Sequence, residues 1–98
     1  MYRYRISSQC YNKIRSFYRN VFRKYRHTYS KALMHKNIDD AFASMFHIER
    51  TLLRRKPTIQ QWQGFHMANA GKWYFAYVIE DDVIIIVDAC HSQNIHEE

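Results

Sequence analysis

The clearest shortage in this chain is of residues that break regular backbone structure, since its 98 residues include 2 glycines and 1 proline. Disordered and low-complexity chains are rich in such residues, whereas this chain is 47% hydrophobic and 16% aromatic. A chain of this length is also too short to build two cores of useful size. We therefore expect a single globular domain over residues 1–98.

Cysteine is scarce as well, and long hydrophobic runs are missing. Cys10 and Cys90 stand far apart, with no CxxC spacing and no metal-binding pattern around them, which is typical of reduced thiols in the cytoplasm. The N-terminal residues lack the apolar segment of a signal peptide, and the apolar run over residues 83–87 is much shorter than a membrane span. We therefore expect a cytoplasmic protein without metal, cofactor or membrane contact.

The first third of the chain contains no acidic residue, and the first one along the sequence is Asp39. Overall, 15 Lys and Arg stand against 9 Asp and Glu, which gives a formal net charge of +6. Such an uneven distribution favours a polyanionic partner, either a nucleic acid or an acidic protein.

The N-terminal third reads as a strand followed by a helix. Tyrosine and isoleucine alternate with arginine over residues 2–6, which predicts a short strand with one basic face. Apolar residues then recur at helical spacing and predict a helix over residues 8–26, capped by Ser7 or Ser8. The opposite helix face carries what we call the basic ridge, consisting of Arg15, Arg19, Arg23 and Arg26. A solvated surface explains the ridge, and contact with a nucleic acid or protein partner is the alternative.

A second helix is predicted to begin at Asn37, because an asparagine followed by two aspartates is typical of a capped first turn. Its buried face is marked by Ile38, Ala41, Phe42, Met45, Ile48 and Leu52. Three cations would close its last turn, where the helix dipole favours positive charge, and Pro57 would end it. Residues 27–37 show no clear apolar stripe, so they either extend the first helix or form a connecting turn.

The remaining residues switch to the alternation of strands. Strands are predicted over about residues 62–67, 72–80 and 83–90, joined by short turns. The unbroken apolar run in the last strand indicates an interior place in the sheet. We therefore predict an α+β fold of order β-α-α-β-β-β, in which a helical hairpin packs on a mainly antiparallel four-stranded sheet.

This order of elements and several local strings resemble the RelE/ParE superfamily, the toxins of bacterial type II toxin-antitoxin systems. The resemblance covers nearly the whole chain. It includes the strand-helix-helix start, a second helix with Ala41, Ile48, Leu52 and Pro57, the string GKWYFAYVIEDDVIIIV with Tyr77, and the histidine of ACHSQN. The resemblance implies a small basic toxin that arrests growth and is silenced by a cognate antitoxin protein.

The resemblance also implies one of two targets. The RelE branch is a metal-independent endoribonuclease that cleaves mRNA, usually on the ribosome, whereas the ParE branch inhibits DNA gyrase and is not a nuclease. Metal-free RNA cleavage uses the 2′-hydroxyl as nucleophile and needs a general base, a general acid and cations on the phosphate.

His91 is the candidate acid or base, because imidazole titrates near neutral pH and the last strand is expected to end toward the uncovered face of the sheet. Arg55 is the candidate catalytic cation, flanked by Arg54 and Lys56 as phosphate-binding residues. Helix capping would explain these cations equally well, and a strand-end hydrogen bond would explain His91.

Tyr74 completes the candidate catalytic residues, because it stands where many family members carry a phosphate-binding arginine. Lys72 is the candidate substitute for that cation, and His66 is a further candidate for phosphate binding, although a structural role also explains it. The expected activity is therefore RNA binding with cleavage of mRNA. The departure at Tyr74 keeps two alternatives open: a non-enzymatic gyrase inhibitor, or an inactive family member that acts only as a binding protein.

Overall fold

The computed structural model describes residues 2–51 and 53–94. Its helices are α1 (Ser8–Lys24) and α2 (Lys31–Ser44), and its strands are β1 (Arg3–Ile6), β2 (His66–Ala70), β3 (Trp73–Glu80) and β4 (Val83–His91). The strands form one sheet of order β1-β4-β3-β2, in which β1 runs parallel to β4 and the other pairs are antiparallel. The predicted α+β order β-α-α-β-β-β is confirmed, and β4 has the interior place expected of it.

Helix α1 forms where the sequence predicts it. Ser7 is the N-cap, and its Oγ accepts a hydrogen bond from the backbone N–H of Cys10 at 3.1 Å. The buried stripe packs on the sheet, and Arg19 and Arg23 of the basic ridge are exposed on the other side. Because α1 ends at Lys24, Arg26 lies in the turn that follows the helix.

Helix α2 begins at Lys31, so the predicted start at Asn37 is wrong. The true N-cap is Ser30, whose Oγ accepts from the backbone N–H of Leu33 at 3.0 Å. Asn37 lies within the helix, and its Nδ2 donates to Tyr29 Oη at 2.6 Å. The apolar stripe is faint here because the first turns of α2 bury only Met34.

The predicted helix end at Pro57 is also wrong. Helix α2 ends at Ser44 and tightens into a 3₁₀ helix over Met45–Arg50, after which Thr51 is extended. The cations at 54–56 therefore do not close a helix, and Arg54 has a φ of +66°. Met45 and Ile48 nevertheless remain buried as expected, and Leu52 lies outside the described residues.

Strand β2 lies later than predicted, because residues 60–62 form a 3₁₀ turn instead of a strand. This turn seats Trp62 and Ile59 against Met67, on the sheet face opposite the helices. The Trp62 indole Nε1 donates to Asp88 Oδ2 at 3.0 Å, which fixes the turn to β4. Part of the sheet face that was expected to be open is therefore covered.

A bulge between β3 and β4 decides where the end of β4 points. Tyr77 pairs with Ile86, whereas Ala76 pairs with Asp88, so Val87 is the extra residue. Ile86 faces the helices on one side of this bulge, and Ala89 faces them on the other. Because the bulge resets the alternation, His91 also lies on the helix side, and the expected position on the uncovered face is wrong.

Candidate functional site

His91 sits in an aromatic pocket at the end of β4 and is 8% exposed. Its ring stacks on Phe17 of α1 with 4.4 Å between ring centroids, and it makes a T-shaped contact with Trp73 with 5.2 Å between centroids. The backbone N–H of Gln93 donates to His91 Nδ1 at 3.2 Å. The neutral imidazole therefore carries its hydrogen on Nε2.

Two causes favour the neutral form of His91. Burial lowers the pKa of the imidazole below its ordinary value, and the nearby positive charge of Lys72 lowers that pKa further. A neutral ring with Nδ1 accepting and Nε2 protonated is a hydrogen-bond donor toward a ligand. It has no free lone pair with which to act as the general base that the sequence pattern suggested.

Tyr74 lies on the other face of the sheet from His91. It pairs with Cys90 across the β3–β4 ladder and packs beside Trp62 and Ile59, away from the helices. Since the side chains of successive strand residues alternate between the faces, Tyr74 and His91 cannot contact the same reacting group.

The residues predicted to hold the phosphate, which are the cations at 54–56 and His66, lie near the end of β2 that is far from His91. The carbonyl oxygen of Arg55 accepts from the backbone N–H of Met67 at 3.0 Å. His66, at the start of β2, tilts against Tyr77 with 5.6 Å between ring centroids. His91 lies at the level of Ala70, the last residue of β2. Ala70 is four residues along β2 from His66, which is about 13 Å along a strand. Arg54, Lys56 and His66 are therefore separated from His91 by this length of strand.

Lys72 is the predicted residue that the structure brings to His91. It lies in the β2–β3 turn, and its carbonyl oxygen accepts from the backbone N–H of Ser92 at 2.9 Å. The turn is tight because Gly71 has a φ of +62°, and a Cβ there would lie 3.2 Å from the Cβ of Ser44.

Lys72 and His91 line a cleft of about 470 Å³ between the helical hairpin and the β2–β3 turn, which we call the hairpin cleft. Its other polar lining residues include Tyr18, Tyr29 and Asn37. The sequence pattern missed these three, because Tyr18 read as part of a core stripe and the other two fell in the segment without a clear period. The abundance of tyrosine, with 8 in the chain, was the one signal that pointed to the two tyrosines.

The two cysteines are poor nucleophiles. Burial raises the pKa of the Cys10 thiol to about 12, and burial also raises the pKa of the Cys90 thiol. Within residues 2–51 and 53–94, no three His, Cys, Asp or Glu side chains are grouped as metal ligands would be. None of the described helices combines the length and apolar character needed to cross a bilayer.

Comparison of the chain with protein-family models gives no match, and comparison with curated proteins gives none either. The likeness to RelE/ParE toxins therefore rests on the sequence features quoted above.

Proposed function

We propose that this protein is a growth-inhibiting toxin of the RelE/ParE type that acts by binding its target and not by cleaving RNA. One observation carries the choice between the branches: the predicted nuclease groups are dispersed. His91 and Tyr74 lie on opposite faces of the sheet, and Arg55 lies toward the far end of β2. Acid-base cleavage needs such groups within hydrogen-bond reach of one phosphodiester, so this dispersal favours the non-enzymatic branch.

The basic ridge supports a binding role. The ion pairs among the described residues join Arg3 with Asp82, Lys13 with Asp88, and Lys36 with Asp40. No ridge arginine takes part in them, so in the described part of the chain the ridge charges remain available to a polyanionic partner. DNA gyrase is the target to test, because it is the target of the non-nuclease branch and works on DNA.

A supercoiling assay with purified gyrase tests this proposal. We expect wild-type protein to inhibit supercoiling and the His91→Asn variant to inhibit it equally, because no catalytic step depends on the imidazole. Unchanged supercoiling at high concentrations of folded wild-type protein would rule out gyrase as the target.

Cleavage of mRNA is the second candidate function, favoured by the shared cleft of Lys72 and His91. In that mechanism, Lys72 would hold a phosphate and His91 would donate a hydrogen bond to it. Translating ribosomes incubated with wild type, His91→Ala and Arg55→Ala test this candidate. Intact mRNA in the wild-type reaction would remove it.

A cognate antitoxin in the cytoplasm is part of the same proposal. We expect it to cover the apolar groove beside the helices or to add a strand or helix across the basic face. Co-purification of the product of the neighbouring gene with this protein tests this partner, and its absence from the purified material would count against the toxin-antitoxin assignment.

A further inference from the structure

We infer that the hairpin cleft binds a mononucleotide, with the phosphate monoester held by a cluster of hydrogen-bond donors. The cluster consists of the hydroxyls of Tyr18 and Tyr29, Lys72 Nζ and His91 Nε2. All four residues line the same cleft. The inference is independent of gyrase and of RNA cleavage.

The two tyrosine hydroxyls each have a hydrogen left to donate. Tyr18 Oη accepts from Trp73 Nε1 at 3.1 Å, and Tyr29 Oη accepts from Asn37 Nδ2 at 2.6 Å. A hydroxyl that already accepts a hydrogen bond still has its own O–H to satisfy. Neither O–H has an acceptor among the described residues, although both tyrosines are less than 10% exposed.

His91 and Lys72 add two more donors. Because Nδ1 of His91 is occupied by the N–H of Gln93, the free position of the ring is the Nε2–H. Lys72 is exposed, forms no ion pair within the described residues, and lies close enough to His91 to affect its titration. One positive charge and three neutral donors thus line a single cleft.

The carboxylate of Asp40 does not satisfy this cluster. Asp40 lines an adjoining pocket of about 200 Å³ together with Tyr18 and Lys72. Its Oδ2 lies 3.7 Å from Lys36 Nζ, and hydrogen bonds from the cleft donors to it are absent in the described part of the chain. Four donors that line one cleft suit an oxyanion, and a phosphate monoester offers three acceptor oxygens.

The size and the walls of the cleft extend the ligand beyond inorganic phosphate. A volume of about 470 Å³ falls within the range of small-molecule sites, roughly 300–1,000 Å³. Phe17 and Val21 form an apolar wall, and Tyr25, 50% exposed, presents its ring at the same cleft. An aromatic ring beside a phosphate-binding cluster suits a nucleobase, which stacks on it.

Isothermal titration calorimetry with the whole protein and AMP tests this inference. We expect AMP to bind at least about tenfold more tightly than adenosine, because charge-assisted hydrogen bonds to the phosphate account for that difference. Inorganic phosphate should bind more weakly than AMP, because it makes no contact with the aromatic wall. Equal affinity for AMP and adenosine would overturn the inference, and so would tighter binding of the diester ApA than of AMP.

Two variants probe the donors directly. Tyr29→Phe removes one hydroxyl and keeps the ring, and Lys72→Met removes the charge at an exposed turn position. We expect each to weaken AMP binding about tenfold. The matched control is Tyr11→Phe, since Tyr11 lies on α1 outside the cleft and stacks on Phe42. If Lys72→Met and Tyr11→Phe bind AMP with the same affinity, the inference is overturned. This comparison holds even if Tyr29→Phe fails to fold.

Discussion

The position of His91 follows from one residue, the bulged Val87 in β4. If side chains alternated regularly from residue 83 onward, His91 would lie on the face opposite the helices. The bulge reverses this, and the sequence does not reveal it because the bulged residue is as apolar as the residues that precede it in the strand. The sequence therefore predicted the strand and its end close to the histidine. It did not predict the neighbours of the imidazole, because these depend on a register that only β3 fixes.

The stability of the protein should fall as the pH is lowered below about 6.5, the ordinary pKa of histidine. Burial and Lys72 depress the pKa of His91 in the folded state, so the unfolded chain binds a proton that the folded chain excludes. As the pH is lowered from about 6.5 to the depressed pKa of His91, the free energy of unfolding should therefore decline. Above about pH 6.5, the contribution of His91 to that free energy should not change with pH.

Urea unfolding of wild type and His91→Asn at several pH values across this window measures the effect. The asparagine keeps a hydrogen-bond acceptor near the Nδ1 position and does not titrate, so we expect a shallower decline in the variant. The control is His35→Asn, which removes an exposed histidine of α2. The same decline in wild type and His91→Asn would contradict this assignment.

Among the elements, α1, β3 and β4 were predicted closely, whereas α2 and β2 were displaced. Helix α1 buries an apolar stripe of helical period, and β3 and β4 coincide with long apolar runs bounded by short turns. The boundaries of α2 depend on a single serine cap, and those of β2 depend on the contact of Trp62 with Asp88. Contacts between distant residues decide such boundaries, and periodicity does not reveal them.

Replacing the cap of α2 gives a direct check of its start. We expect Ser30→Ala to lower the free energy of unfolding by about 1 kcal/mol, because the N–H of Leu33 loses its acceptor. Ser16→Ala is the matched control, since Ser16 is exposed in the middle of α1, and alanine there should be neutral or slightly stabilising. Chemical denaturation of both variants measures the difference, and equal stabilities would contradict the observed cap.

For the whole molecule, the net charge and the order of elements were accessible from the sequence, but the division of the sheet faces was not. The helices cover one face, and the segment around Trp62 covers part of the other. Tyr74 packs against this second cover, on the face opposite the hairpin cleft, so the candidate nuclease residues Tyr74 and His91 lie on different sides of the sheet. We therefore propose the basic ridge and the hairpin cleft as the surfaces for the two binding roles argued above.

Charge on the basic ridge should matter for action and little for folding. We expect the double substitution Arg19→Gln with Arg23→Gln to weaken growth inhibition at least about tenfold in inducer dose, because two charges for a polyanionic partner are lost. The free energy of unfolding should change by less than about 1 kcal/mol, because both side chains are exposed. Lys31→Gln is the control, since it removes an exposed cation of α2 outside the ridge. Equal growth inhibition by the double variant and Lys31→Gln would contradict a role for the ridge.

Primer extension on cellular mRNA after induced expression tests most directly whether the protein acts by binding. We expect growth to stop while the mRNA remains intact, and we expect His91→Asn to stop growth to the same extent. Action by binding would be contradicted if new 5′ ends in the mRNA appeared with wild type and disappeared with His91→Asn. The toxin assignment itself would be contradicted if growth were undiminished while folded wild-type protein was present.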